Sequence, residues 1–201
     1  EQEGADLLLI AGDLFHREPL NRELKEVNYL FGKLSRTQVV LIAGNHDYLK
    51  RDSNYLDFEW ADNVIFLDGE ECERVSFPEI GTYVYGCSYH SREIRERVYD
   101  RLTPGEEPGI HILLAHGGDE NHIPIEKGRL ASSGFDYIAL GHIHRPEILV
   151  RNRMAYSGAL EPIDVNDTGQ HGYMTGECRG GEMTVEFVPF SARQYIHLEV
   201  Q

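Results

Sequence analysis

The 201-residue sequence has no apolar run near the roughly 20 residues that a membrane-spanning helix needs. Its first residues, Glu1-Gln2-Glu3-Gly4, have neither the basic nor the apolar part of a secretory leader, so a cytoplasmic location without membrane attachment is the expectation. Cysteine is scarce. Cys72, Cys87 and Cys178 are odd in number and scattered without metal spacing, which speaks for reduced thiols and against a disulfide framework or a thiolate metal site. Positive charge is in deficit: 19 Lys and Arg stand against 34 Asp and Glu, a net charge of −15. This argues against a broad basic surface for nucleic acid, because Lys and Arg that neutralise phosphates supply most non-specific affinity. A local basic rim stays open, since Arg17 and Arg22, Lys50 and Arg51, and Arg145, Arg151 and Arg153 follow the polar loops described next; the other reading is ordinary solvated charge. Linkers, repeats and low-complexity tracts are absent as well.

With 41% hydrophobic and 26% charged residues, the chain reads as one globular domain over residues 1–201, long enough to bury a substantial core. It is organised around Gly44-Asn45-His46-Asp47, which follows the apolar run Gln38 to Ala43 as a loop follows a buried parallel strand. The arrangement recurs. Leu7 to Ala11 runs into Gly12-Asp13, Ile110 to Ala115 into His116, and Tyr137 to Leu140 into Gly141-His142-Ile143-His144. Polar residues at the carboxyl ends of such strands lie where α/β sheets bind ligands. Turn chemistry accounts for any one loop but does not require imidazole after strand upon strand. Asp13, Asn45, His116, His142 and His144 together offer oxygen and imidazole nitrogen without thiolate, a mixture suited to Mn²⁺, Fe²⁺ or Zn²⁺ rather than Ca²⁺.

Elsewhere the pattern predicts a helix from Pro19 through Leu34, with Leu20, Leu24, Val27, Leu30, Phe31 and Leu34 at helical spacing and Pro19 in its first turn. Further helices are expected over 48–60 and 91–102, a helical or irregular stretch over 123–133, and the acidic end of a helix over 1–5. Short strands are expected at 64–67, 73–77, 82–86, 147–151, 153–156, 173–178, 183–188 and 194–200. This order suggests two sheets packed face to face with helices outside, the ligand loops lining one rim.

In order and spacing, Gly12-Asp13, Gly44-Asn45-His46-Asp47, His116 and Gly141-His142-Ile143-His144 resemble the motifs of calcineurin-like metallophosphoesterases. More narrowly, Gly12 to His16, Gly141 to Pro146 and Tyr156 to Pro162 resemble the SbcD group of DNA repair exonucleases. The resemblance implies an α/β (α+β) fold of two packed mixed sheets with flanking helices. It implies two divalent cations, Mn²⁺ first with Fe²⁺ or Zn²⁺ as alternatives: Asp13 bridges them, Asn45, His116 and His142 complete one, and His144 serves the other. His46 is then the acid beside the substrate, with Asp47 as the neighbour that raises or orients it, while His16, Arg17 and Arg145 are candidates for substrate binding. Such a pair of cations acidifies a shared water and clamps the phosphoryl group for in-line displacement. Members of the superfamily open with an Asp-x-His motif that does not precede Asp13 here, so the expectation is a domain missing its first strand-helix unit. His90, His111, His122, His171 and His197 fall outside the motifs and read as structural or surface residues.

The resemblance implies a metal-dependent phosphodiesterase acting on DNA ends or single strands beside an SMC-like ATPase, with a homodimer also open. A phosphodiesterase for a nucleotide or other small molecule is the alternative, and an inactive scaffold of the same fold a third. A protein phosphatase is disfavoured, because His16 and Asp47 stand where that branch resembles Gly-Asp-x-x-Asp-Arg-Gly and Gly-Asn-His-Glu.

Overall fold

In the computed structural model, residues 4–198 are described. Strands β1 (Leu7–Ala11), β2 (Gln38–Ile42) and β3 (Val64–Phe66) form a parallel sheet, with helix α1 (Asn21–Phe31) crossing between the first two. The larger sheet contains β4 (Glu73–Phe77), β5 (Thr82–Gly86), β6 (Ile110–His116), β7 (Tyr137–Gly141), β8 (Glu147–Val150) and β9 (Met154–Tyr156), in the order β4-β5-β6-β7-β9-β8. Its four inner strands are parallel and its two edges antiparallel. A short helix, α2 (Lys127–Ala131), lies between β6 and β7. Strands β10 (Gly172–Arg179) and β11 (Glu182–Pro189) form a separate hairpin, closed by Gly180-Gly181 with both residues at positive φ, as a two-residue type I′ turn requires.

Alternation along the strands decides which layer each side chain enters. Leu7, Leu9, Ala11, Val40 and Ile42 face Val84, Ile112, Leu114 and Ala139 of the larger sheet. Leu8, Ile10, Val39 and Leu41 face the other way, onto Leu24 of α1 and the aromatic residues Tyr55, Phe58 and Trp60. On the far face of the larger sheet, Leu113, Ala115, Ile138 and Leu140 pack on Tyr89, Tyr99, Leu130 and Phe135. The parallel strands are therefore apolar at consecutive positions because both faces are covered.

Several local expectations are corrected. Residues 91–102 are not helical: Ile94 exchanges backbone hydrogen bonds with the 121–123 loop, and only a 3₁₀ turn forms at Tyr99–Arg101. Buried Tyr99 holds that segment against β6, so tertiary packing overrides the helical period. Residues 48–60 are turns, tied by Ser53 and Asn54 to the Glu18 carboxylate. Pro19 precedes the helix cap, and Glu23 instead accepts the Leu20 N–H at 2.8 Å. The strand expected over 194–200 reduces to one bridge between Thr168 and Tyr195, with 199–200 outside the described residues; most of the helix end expected over 1–5 also lies outside them. No described helix is long and apolar enough to cross a membrane.

Candidate metal centre at the strand ends

The chain leaves β1 and β7 through strained backbone. Asp13 has φ 51° and His142 φ 97°, values that residues with a Cβ seldom adopt and that cluster at functional sites. Gly44 is required for a second reason: a Cβ there would overlap the Asp13 carboxylate and the His116 ring.

Asp47 holds these loops together. Its carboxylate is fully buried, Oδ1 accepting the N–H of Gly44 at 2.8 Å and of Asp13 at 3.2 Å, Oδ2 accepting the N–H of Phe15 at 3.2 Å and the Tyr55 hydroxyl at 2.8 Å. Burial pushes its pKa up, only partly offset by these donors. The expectation that Asp47 raises or orients His46 is corrected: its oxygens are engaged with the loop backbone and Tyr55, and it serves as a strut.

His116 is positioned just as closely. The Tyr99 hydroxyl accepts its N–H at 3.0 Å, and Tyr89 and Tyr99 donate to its carbonyl at 2.9 and 3.1 Å. Its Nδ1 donates to the Ala11 carbonyl at 2.7 Å, which leaves the Nε2 lone pair directed at Asn45 Oδ1, 2.9 Å away, and Asp13 Oδ2, 3.3 Å away. A fourth lone pair joins from His142, whose Nδ1 lies 3.0 Å from the same Asn45 oxygen. Lone pairs that converge without a shared proton repel one another, and a divalent cation among them turns that repulsion into ligation. The donor set fits a metal: one ligand atom each from Asp13, His116 and His142 lie within 4.8 Å of one another. Burial works to raise the Asp13 carboxyl; the His116 ring, in the form that also carries a proton on Nε2, and the His46 N–H at 2.8 Å hold it below the usual range.

The remaining sequence candidates divide. His46 stacks on His16 at 4.3 Å between centroids, outside the ligand cluster, and burial lowers its pKa although Asp13 opposes the shift. His144 stands on the same rim, its Nδ1 3.2 Å from Asp167 Oδ2. Arg145 lines a cavity of about 500 Å³ with Asn45, His46, His142 and His144. Arg17 is drawn off by a two-pronged contact with Glu23 at 2.7 and 3.0 Å and a hydrogen bond to the Glu18 carbonyl. Three wall residues, Arg92, His122 and Asp167, fall outside the sequence motifs, and no local pattern marks them as part of the site. His122, read from the sequence as a structural or surface residue, stands on this rim. Asp119 was also missed; burial works to raise its carboxyl, but hydrogen bonds from His122, His142 and the Asn121 N–H bring it well below the ordinary value.

Parallel strands that present oxygen and imidazole ligands at one end define an α/β protein with a divalent-cation site above its sheets. The calcineurin-like phosphoesterase profile matches residues 1–146, and the chain belongs to that family of divalent-metal phosphoesterases. It is 33% identical over 202 residues to the metallophosphoesterase YhaO of Bacillus subtilis (strain 168), an alignment that covers 92% of this chain and 48% of that protein. To the DNA double-strand break repair protein Mre11 of Methanocaldococcus jannaschii it is 29% identical over 218 residues, covering 98% of this chain and 58% of the relative. The chain therefore spans about half the length of these curated relatives.

Proposed function

We propose that this protein hydrolyses phosphodiesters, with DNA ends as the substrate class and Mn²⁺ as the working metal. The observation that carries the reading is the convergence of Asp13, Asn45, His116 and His142 on one point, with His46 beside that point but outside the ligand set. A cation bound there supplies Lewis acidity toward the phosphoryl oxygens. The side chains do the rest. Asp13 and Asn45 present oxygen, His116 is fixed as its Nδ1–H tautomer, and His144 and Asp13 would hold a second cation. His46 in its imidazolium form gives a proton to the leaving oxygen, and Arg92 and Arg145, neither in an ion pair among the described residues, face the flanking phosphates across the cavity. The DNA assignment is supported by the likeness to SbcD-type exonucleases and by the Mre11 relative's name. The same likeness supports an SMC-like ATPase partner. A second reading, a phosphodiesterase for nucleotides or other small molecules, is favoured by the net charge of −15.

The test contrasts two variants on two substrates with Mn²⁺. His46→Asn should keep metal stoichiometry and lose about 10²- to 10⁴-fold in turnover on DNA. The loss should be smaller on bis-p-nitrophenyl phosphate, whose leaving group needs little protonation. His116→Asn should lose metal itself. Equal losses on both substrates, or loss of metal from His46→Asn, would refute the role given to His46, and hydrolysis of small diesters with none of DNA would favour the second reading.

A further inference from the structure

The His142 ring faces two groups at once. Its Nδ1 is 3.0 Å from Asn45 Oδ1, and its Nε2 is 2.8 Å from Asp119 Oδ2. Asp119 in turn meets His122 Nδ1 with both oxygens, at 2.8 and 2.9 Å. An Asp119 oxygen and one nitrogen each from His122 and His142 thus lie within 4.8 Å of one another, a second cluster beside the one at Asn45. Among the described residues neither Lys nor Arg pairs with Asp119, and both imidazoles line the open cavity, which leaves room for a further ligand from solvent. The loop is held in shape by the Asn121 and His122 N–H groups on Asp119 Oδ1 and by the Ile123 N–H on the Ile94 carbonyl at 2.7 Å. Two imidazoles, one carboxylate and an open position make a set that Zn²⁺ and Co²⁺ accept.

We propose that Asp119, His122 and His142 form a second site for a borderline divalent cation of the Zn²⁺ type, in competition with the strand-end site. The competition follows from the ring. A neutral imidazole has one lone pair. When Nε2 ligates beside Asp119, the proton sits on Nδ1 and is donated to Asn45 Oδ1, so His142 is withdrawn from the strand-end group. When Nδ1 ligates there, Nε2 carries the proton and donates it to Asp119. Each ion weakens the other by the same factor, as linkage requires. The antagonism rests on the phosphoesterase reading above; the Asp119 site itself does not.

Co²⁺, followed by its visible absorption, is the probe, titrated into the full 201-residue protein. Asp13→Asn, which damages only the strand-end group, should keep the absorption of Co²⁺ at Asp119. Asp119→Asn and His122→Gln should each weaken that binding by at least the roughly 10- to 100-fold that partners one step beyond the ligands cost. Asp119→Asn keeps the Oδ1 acceptor for the two loop N–H groups, so it decides the matter even if His122→Gln fails to fold by circular dichroism. Preloading with Mn²⁺ should raise the apparent Co²⁺ dissociation constant in the wild type. Unchanged Co²⁺ binding when Asp119→Asn is added to Asp13→Asn, or its abolition in Asp13→Asn alone, overturns the site, and indifference to Mn²⁺ overturns the antagonism. A wild type that shows the Co²⁺ signature but cleaves no phosphodiester would break the functional reading alone.

Discussion

At the scale of single residues, the buried carboxylate of Asp47 carries as much consequence as any ligand. Four donors point at its two oxygens, so Asp47→Asn leaves two of them facing an NH₂ group, and a buried unsatisfied group costs about 1–3 kcal/mol. The expected outcome in urea denaturation is a loss of about 2–4 kcal/mol, against about 1–3 kcal/mol for Tyr55→Phe, which removes one donor. A loss below about 1 kcal/mol in Asp47→Asn would mean that the loops hold without it. The sign of its pKa shift adds a pH dependence. Since the folded value is raised, the contribution of Asp47 is fully present below the unfolded value and is lost as pH rises through the folded one. Asp13 has the opposite sign: its folded value is lowered, so its contribution is present above the unfolded value and lost as pH falls through the folded one. For His46, burial favours the neutral ring. If its imidazolium is the acid, kcat/KM on DNA should decline with rising pH from below the ordinary imidazole value of about 6.5, and that limb should vanish in His46→Asn.

At the scale of elements, the two sheets come into close contact where β7 passes β1. Gly141 lies against the Ala11 carbonyl so tightly that a Cβ would overlap it. That carbonyl is also the acceptor that fixes the His116 tautomer. Gly141→Ala should therefore destabilise by about 1–3 kcal/mol, as overpacking does, and weaken metal binding in the same titration. Leu24→Ala makes the contrast. Leu24 is the buried residue of α1, and its truncation should cost about 2–5 kcal/mol while leaving metal stoichiometry intact, because α1 packs on the face of the small sheet away from the larger one. If Leu24→Ala loses metal as readily as Gly141→Ala, the separation of the two layers is not respected by the site.

For the whole molecule, a candidate ligand set at the ends of β1, β2, β6 and β7 would tie metal binding to folding. Mn²⁺ at about 100 times its dissociation constant should add about 2.7 kcal/mol, and at about 2–4 °C per kcal/mol for this chain length the thermal midpoint should rise by roughly 5–11 °C. Chelation should reverse the shift, and His116→Asn should show none. A midpoint indifferent to Mn²⁺ in the wild type would mean that the four strand ends do not share an ion.

The sequence by itself determined the strands as far as Pro189 and the order of the candidate ligands at their ends. Period-2 alternation covered on both faces writes apolar runs, and Gly12, Gly44 and Gly141 mark where those runs must stop, so Asp13, Asn45, His116 and His142 could be placed at strand ends from local pattern. The amphipathic spacing of α1 was legible for the same reason. Only the tertiary structure decided the rest. Residues 91–102 lose their helical period because Ile94 pairs with a loop almost 30 positions on, between Asn121 and Ile123. Asp47 is a strut because Tyr55 and three backbone N–H groups meet there, not because of any motif. Arg17 turns to Glu23, and Asp119 and His122 join His142, through contacts between segments whose separation in the chain carries no periodic signal. Local patterns record which face of an element is buried; which side chains meet across elements is set by how the layers pack.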